Sequence, residues 1–456
     1  MAAASHDDAA MKELIEPLAK VMTRAAGAGT VSALARLSGG ASMESWSFEW
    51  AGSGYVLRRA PTADYVADRP FGHADEAALV SAAHAAGVKA PAVIAVLESG
   101  DGLGSGYVMR RVGGDANPAD ILASPPPTLL NDLAHELARI HALPAAAIPA
   151  AIPLLDTAAA LAELKARFAD HGGDRPLVAL AIRWCEDHLP SPANPPVLVH
   201  GDFRMGNVLV DGDGLSAVLD WELAHRGDYH EDLAYGCMTV WRFARPDRPA
   251  FGLGTPDDFF AAYRAAGGAP IDPTRFHFWL VYRTLWWALG CLGMGAAWRD
   301  GVDRSLERVV VARRTAEQEL DLLMLLEGDA PEAERARAMP PPAAPVAAAR
   351  GEPCAAELVT AVREWLASDI KPGAQGRDKF MVAVAMNALG IAARELGRPV
   401  DFADKVLADA LLTGARTLAE PGLLARLRRR CLDKLAGDMP KYPALAIARS
   451  QWGAEP

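Results

Sequence analysis

The stretch Leu198–Asp232, LVHGDFRMGNVLVDGDGLSAVLDWELAHRGDYHED, decides how this chain is read. Val208–Val210 and Ala217–Leu219 are short β-prone runs on either side of Asp211-Gly-Asp-Gly214, whose glycines accept the positive φ angles of a hairpin turn. An antiparallel pair with its turn between Gly212 and Asp213 puts Asn207 and Asp220 together at the open end, offset by about two residues or roughly 7 Å of strand. Asp202 stands five residues before Asn207, in a loop with His200, Gly201 and Arg204, so its carboxylate can approach the same place from the side.

These three groups suit phosphoryl transfer. Its transition state is loose and its charge lies on phosphate oxygens, so a protein mainly positions the reactants and neutralises charge with hard cations and donors. Mg²⁺ favours a few oxygen ligands and keeps several waters, which matches one carboxylate, Asp220, and one amide oxygen, Asn207. Asp202 would then orient an acceptor hydroxyl and take its proton. Taken singly, an Asp beside Gly is a turn former, Asn at a strand start caps backbone groups, and Asp220 could end a strand; the coincidence of the three favours the catalytic reading.

HGDFRMGN followed by VLDWE resembles the aminoglycoside phosphotransferase and choline kinase-like family, relatives of the protein kinases, and LDWELAHRGDYHEDLAY is similar to the kinase-like domains fused to some acyl-CoA dehydrogenases. Asn207 follows Asp202 by the five residues of the kinase catalytic loop. The resemblance implies an α+β, two-lobed protein-kinase-like fold, with a small antiparallel β lobe and a larger, mainly helical one. It also implies ATP and Mg²⁺ as cofactors, a small-molecule hydroxyl as acceptor, and bracing roles for His200 and Asp232. Asp228 is left open between bracing and facing the acceptor.

The N-terminal third should supply the nucleotide half. Ser45–Trp50 and Tyr55–Arg59 read as strands about the turn Ala51–Gly54, and Leu37–Met43 holds a bend at Gly39 and Gly40 whose amides could cover phosphates. That bend is not the six-position kinase glycine loop, and Gly-Gly is also an ordinary turn. Arg58 occupies the place where kinases of this fold carry a lysine; it keeps the charge but not the lysine geometry. Arginine there is also similar to the dehydrogenase-fused branch. Glu76, on a helix expected over His73–Ala86, is the candidate partner for Arg58. Strands at Val93–Leu97 and Tyr107–Val112 make Met109–Val112 the hinge, where the resemblance implies adenine contacts at Arg110 and Val112 with Met109 behind the ring.

Beyond the hinge the period becomes helical: Leu130, Leu133, Leu137 and Ile140 lie on one face of Leu129–His141, and Leu154–His188 continues with a break at His171–Asp174. His141 has no second His or Cys at ligand spacing, so a hydrogen-bonded helix histidine is expected. Phe276–Trp298 is the most apolar run, yet Arg283 near its centre would cost roughly 2.5 to 3.5 kcal/mol in a bilayer, so a core helix rather than an integral membrane segment is expected. Pro-rich Met339–Pro345 reads as a linker, after which helical periodicity resumes. The expected division is a helical segment over 1–27, a kinase-like domain over 28–327 with lobes meeting near 112, a linker over 328–352 and a separate all-α domain over 353–456, able to bury its own core and to serve self-association or partner binding.

A net charge of −11 argues against a nucleic-acid partner, and the one dense basic run, Arg426 with Arg428–Arg430, reads as a solvated helix face. Five scattered cysteines without a CxxC pair fit a reducing compartment, and acidic residues interrupt the first twenty positions, so a cytoplasmic protein is expected. Two other readings stay open: a kinase-shaped binding module without turnover, motivated by Arg58, and a metal-dependent hydrolase using His200 and the aspartates.

Overall fold

The computed structural model describes residues 2–37, 43–60, 69–342, 353–397 and 403–454, with side chains from residue 11 onward. Its contacts divide the chain into two compact units, Met1–Leu155 with Pro192–Cys237 and Arg248–Asp272, and Asp156–Ser191 with Met238–Asp247 and Pro273–Pro456.

The first unit opens with helix α1 (Ala2–Ala26) and strands β1 (Val31–Arg36), β2 (Glu44–Trp50) and β3 (Ser53–Ala60), continues through helix α2 (His73–Ala85) and adds β4 (Val93–Val96) and β5 (Ser105–Arg110). The five strands form one antiparallel sheet in the order β1-β2-β3-β5-β4. Alternation along β2 and β3 turns Trp46, Phe48, Tyr55 and Leu57 inward, where Leu14, Leu18, Val21 and Met22 of α1 cover them, so the N-terminal helix is part of this core. The observed α2 ends one residue before the expected limit, at the turn containing Gly87.

Helices α3 (Pro118–Ala123) and α4 (Leu129–His141) follow, α4 over the span its apolar spacing predicts. Strand β6 (Val197–Val199) pairs with β9 (His225–Gly227), and between them lies the hairpin of β7 (Val208–Asp211) and β8 (Gly214–Val218). Helices α7 (His230–Tyr235) and α8 (Pro256–Ala265) complete the unit, α8 packing against α4.

The second unit is helical. It contains α5 (Thr157–Asp170) and α6 (Pro176–Asp187), separated at the expected break, then α9 (Pro273–Arg299), α10 (Leu306–Ala312), α11 (Thr315–Leu326) and α12 (Glu332–Arg335). After the Pro-rich stretch come α13 (Ala355–Trp365), α14 (Gly376–Gly397), α15 (Lys405–Leu412), α16 (Leu423–Asp438) and α17 (Pro443–Gln451). Helix α9 is the apolar run read from the sequence; Arg283 is buried with its guanidinium 4.6 Å from the Trp286 ring centroid, a cation–π contact that offsets part of its desolvation. Helix α15 packs on α6, where Asp404 N–H donates to Asp174 O at 2.7 Å, and α16 packs on α11. No helix among the described residues is long and apolar enough to cross a membrane.

Candidate active site

The loop His200–Met205 leaves β6 through Gly201, whose φ of +81° brings its Cα against the Leu223 carbonyl, so a side chain there would collide. The loop is fastened from below. Asp232, fully buried on α7, accepts from the amides of His200 (2.7 Å) and Gly201 (2.9 Å) and from His141 Nε2 (3.1 Å). Burial raises the Asp232 pKa, but these donors and the neighbouring imidazoles outweigh it and hold the carboxyl below its ordinary range. His200 bonds the Leu219 carbonyl through Nε2 (3.0 Å) and the Asp202 amide through Nδ1 (3.3 Å), the pattern of a neutral Nε2–H ring, and burial lowers its pKa despite the pull of Asp232, Asp202 and Asp220. With both ring nitrogens committed, His200 is no free metal ligand or base, which removes the hydrolase reading's main residue. Bracing is what His200 and Asp232 do, and His141 is a hydrogen-bonded helix histidine. Asp228 is buried and tied to His230 Nδ1 at 2.6 Å.

The hairpin forms with the two-residue turn Gly212-Asp213, and a bulge corrects its expected register. Leu209 pairs with Ala217 but Val210 with Leu215, so Ser216 is the extra residue on β8. The ladder therefore runs on with Leu219 N–H donating to Asn207 O at 2.8 Å, which leaves Asp220 one position past Asn207 instead of two. Asn207 directs its amide nitrogen at Asp202, to Oδ2 (2.5 Å) and to the main-chain oxygen (3.0 Å), while Arg204 Nε donates to Asp202 Oδ1 at 3.0 Å. Asp202, Asn207 and Asp220 are thus brought together. Asp220 holds φ +65°, an uncommon value for a non-glycine residue and one that clusters at functional sites.

Asp220 is engaged from the sheet by Arg58, which donates to its Oδ1. Burial pushes the Asp220 carboxyl up and the Arg58 guanidinium down; their mutual attraction outweighs both, so the pair stays ionised, with Asp220 lowered and Arg58 raised. Glu76 lies 4.0 Å from Arg58 and so belongs to the same cluster, but its close partners are others: Arg69 donates to Oε2, and Tyr107 donates to Oε1 at 2.9 Å. Arg69 also reaches Glu222 at 3.1 Å, which in turn lies 3.7 Å from Arg58. His73, beside this cluster, is buried with Nδ1 on Ser105 (2.8 Å), and its pKa falls to about 4 through burial and the charges of Arg69 and Arg58. Sequence reading missed Arg69 and Glu222. Glu222 could have been found by its place two residues after Asp220; Arg69 gives no local signal.

Gly39 and Gly40 lie outside the described residues. In the stretch expected to be the hinge, Met109 pairs with Val56 and Val93 within the sheet. The strand ends at Arg110, whose amide donates to Ala92 O (2.8 Å) and whose guanidinium stacks 4.7 Å from the Tyr55 ring centroid. Val112 stands in the loop beyond.

A divalent cation would find suitable donors. The amide nitrogen of Asn207 being committed to Asp202, its oxygen is the atom left to ligate, and Asp220 has Oδ2 besides the oxygen held by Arg58. One amide oxygen and one carboxylate oxygen fit Mg²⁺, which retains its own waters.

A sheet of five antiparallel strands, a bulged hairpin and a braced loop carrying Asp202 and Asn207 define a kinase-like fold. The model of a phosphotransferase enzyme family (APH) matches residues 33–279, more than half of the chain, and the protein belongs to that family, which bears out the reading as a small-molecule kinase. A crystal structure of a candidate aminoglycoside phosphotransferase from Ralstonia eutropha aligns with 69% of this chain and 98% of its own at a TM-score of 0.56 and 21% identity, a likeness of fold. Acyl-CoA dehydrogenase family member 10 of Mus musculus is 33% identical over 114 residues, and family member 11 of Gallus gallus is 38% identical over 64. These stretches cover 22% and 14% of this chain but only 11% and 8% of the relatives.

Proposed function

We propose that this protein is an ATP- and Mg²⁺-dependent kinase that moves the γ-phosphate to a hydroxyl of a small molecule, with a hydroxyacyl-CoA as the leading acceptor class. The observation that carries the reading is the convergence of Asp202, Asn207 and Asp220 through the Asn207–Asp202 hydrogen bonds and the Leu219–Asn207 ladder contact. Asp202 is the base: Arg204 and Asn207 fix both its oxygens, so the carboxylate can orient the acceptor hydroxyl and receive its proton as the oxygen attacks phosphorus. Asn207 and Asp220 would hold Mg²⁺, which neutralises phosphate charge when bound. Arg58 grips the α and β phosphates, Glu76 steadies the cluster behind it, and the backbone at Arg110 and Val112, backed by Met109, receives the adenine. Gly39 and Gly40 are assigned to the bend over the phosphates. The acyl-CoA class is supported by the likeness to the acyl-CoA dehydrogenase family members. Five scattered cysteines without a CxxC pair fit a reducing, cytoplasmic setting. The C-terminal helices carry no catalytic group here and are assigned to self-association or partner binding.

Calorimetry with MgATP tests the reading. Asp202→Ala should keep nucleotide affinity within about threefold while abolishing transfer to a hydroxyl acceptor found by screening for the mass of one added phosphate. Asp220→Ala should weaken the Mg²⁺ complex itself. Absence of Mg²⁺-dependent nucleotide binding by the unaltered protein refutes it. The Arg58–Asp220 pair favours a second reading, a nucleotide-binding module without turnover; binding with no background ATP hydrolysis and no acceptor in the screen would select it.

A further inference from the structure

Arg58 is surrounded by three carboxylates: it donates to Asp220 and lies 3.7 Å from Glu222 and 4.0 Å from Glu76. A guanidinium so placed is drawn to whichever carboxylate lacks another counter-charge. Arg69 supplies that counter-charge to two of the three, donating to Glu76 through one terminal nitrogen and to Glu222 through the other at 3.1 Å. Its planar fork meets both acceptors at once, where a lysine offers a single point charge. Glu76 is buried completely and takes its second hydrogen bond from Tyr107, so without Arg69 its charge would have Arg58 as its nearest cation.

We propose that Arg69 is a positioning residue that keeps Glu76 and Glu222 from capturing Arg58, and so leaves Arg58 able to exchange Asp220 for the phosphate oxygens of a nucleoside triphosphate. This inference rests on the roles given above to Arg58 and Asp220. It places the strand-to-helix ion pair expected between Arg58 and Glu76 largely on a different arginine, one that lies in the approach to α2. The two cations then do separate work: Arg69 holds α2 to the segment after Asp220, and Arg58 answers the incoming charge.

The test is the dissociation constant for MgATP, measured by calorimetry on the full chain, with folding followed by circular dichroism. Arg69→Met should raise Kd about tenfold, because Arg58 is then held by Glu76 and Glu222. Adding Glu222→Gln to Arg69→Met should recover at least threefold of that loss, because one competing carboxylate has been removed; a merely structural role for Arg69 gives no such recovery. A Kd for Arg69→Met within twofold of the unaltered protein, or a double variant no tighter than the single, overturns the proposal. If Arg69→Met does not fold, Arg69→Lys decides, a Kd raised threefold or more supporting it and an unchanged Kd overturning it. Failure of the unaltered protein to bind MgATP would instead sink the kinase reading.

Discussion

Replacing Asp232 by alanine removes the acceptor on which the catalytic loop rests, and the cost follows from the contacts. The carboxylate is fully buried and receives the amides of His200 and Gly201 and the Nε2 of His141. Hydrogen bonds to a charged acceptor are worth about 1.5 to 3 kcal/mol each, and an amide left buried without a partner costs about 1 to 3 kcal/mol. Three such bonds do not add independently, since they share one side chain, so the loss should fall at about 3 to 5 kcal/mol, in the range for removing one side of a buried charged pair. Asp232→Asn should cost less, about 2 to 4 kcal/mol, because the amide oxygen still accepts one backbone N–H while its own N–H₂ faces donors. Urea unfolding at pH 7 measures both. The Asp232 pKa is lowered in the folded protein, so its contribution is present above the ordinary carboxylate pKa and is lost as pH falls through the folded value. The difference between the unaltered protein and either variant should therefore shrink in acid. A difference under about 1 kcal/mol at pH 7, or one that grows in acid, would refute the bracing role.

Gly201→Ala should destabilise by about 1 to 3 kcal/mol and lower transfer more than nucleotide binding, since positive φ and the Leu223 carbonyl both oppose a Cβ; paired unfolding and binding measurements check it. Asp321, buried on α11 and bonded to the Tyr442 hydroxyl at 2.5 Å, has its pKa pushed up to about 7 by burial. A raised carboxyl pKa gives stability that is full below the unfolded value and is lost as pH climbs toward 7, so Asp321→Asn should be stabilising at pH 8, by no more than about 4 kcal/mol, and near neutral at pH 4, read from melting curves. Leu18→Ala in α1 should cost about 2 to 5 kcal/mol in urea unfolding, because Leu18 is fully enclosed against the sheet.

Elements whose signal is local were legible in the sequence. Helix α4 announced itself by the spacing of Leu130, Leu133, Leu137 and Ile140, and the β7–β8 turn by Gly212-Asp213. Arg283 is buried inside α9, as a core helix requires, but its contact with the Trp286 ring was not legible in the sequence.

What the chain by itself determined is therefore the set of groups proposed for phosphoryl transfer and the strands, turns and helices that present them, since these depend on neighbours within a few residues. The tertiary structure alone decided who pairs with whom. The Ser216 bulge moved Asp220 one residue closer to Asn207, and the arginine that takes Glu76 proved to be Arg69. Such choices turn on which buried carboxylate lies nearest which guanidinium, a matter of ångströms between segments as far apart as Arg69 and Glu222, 153 residues in sequence, that no local pattern records.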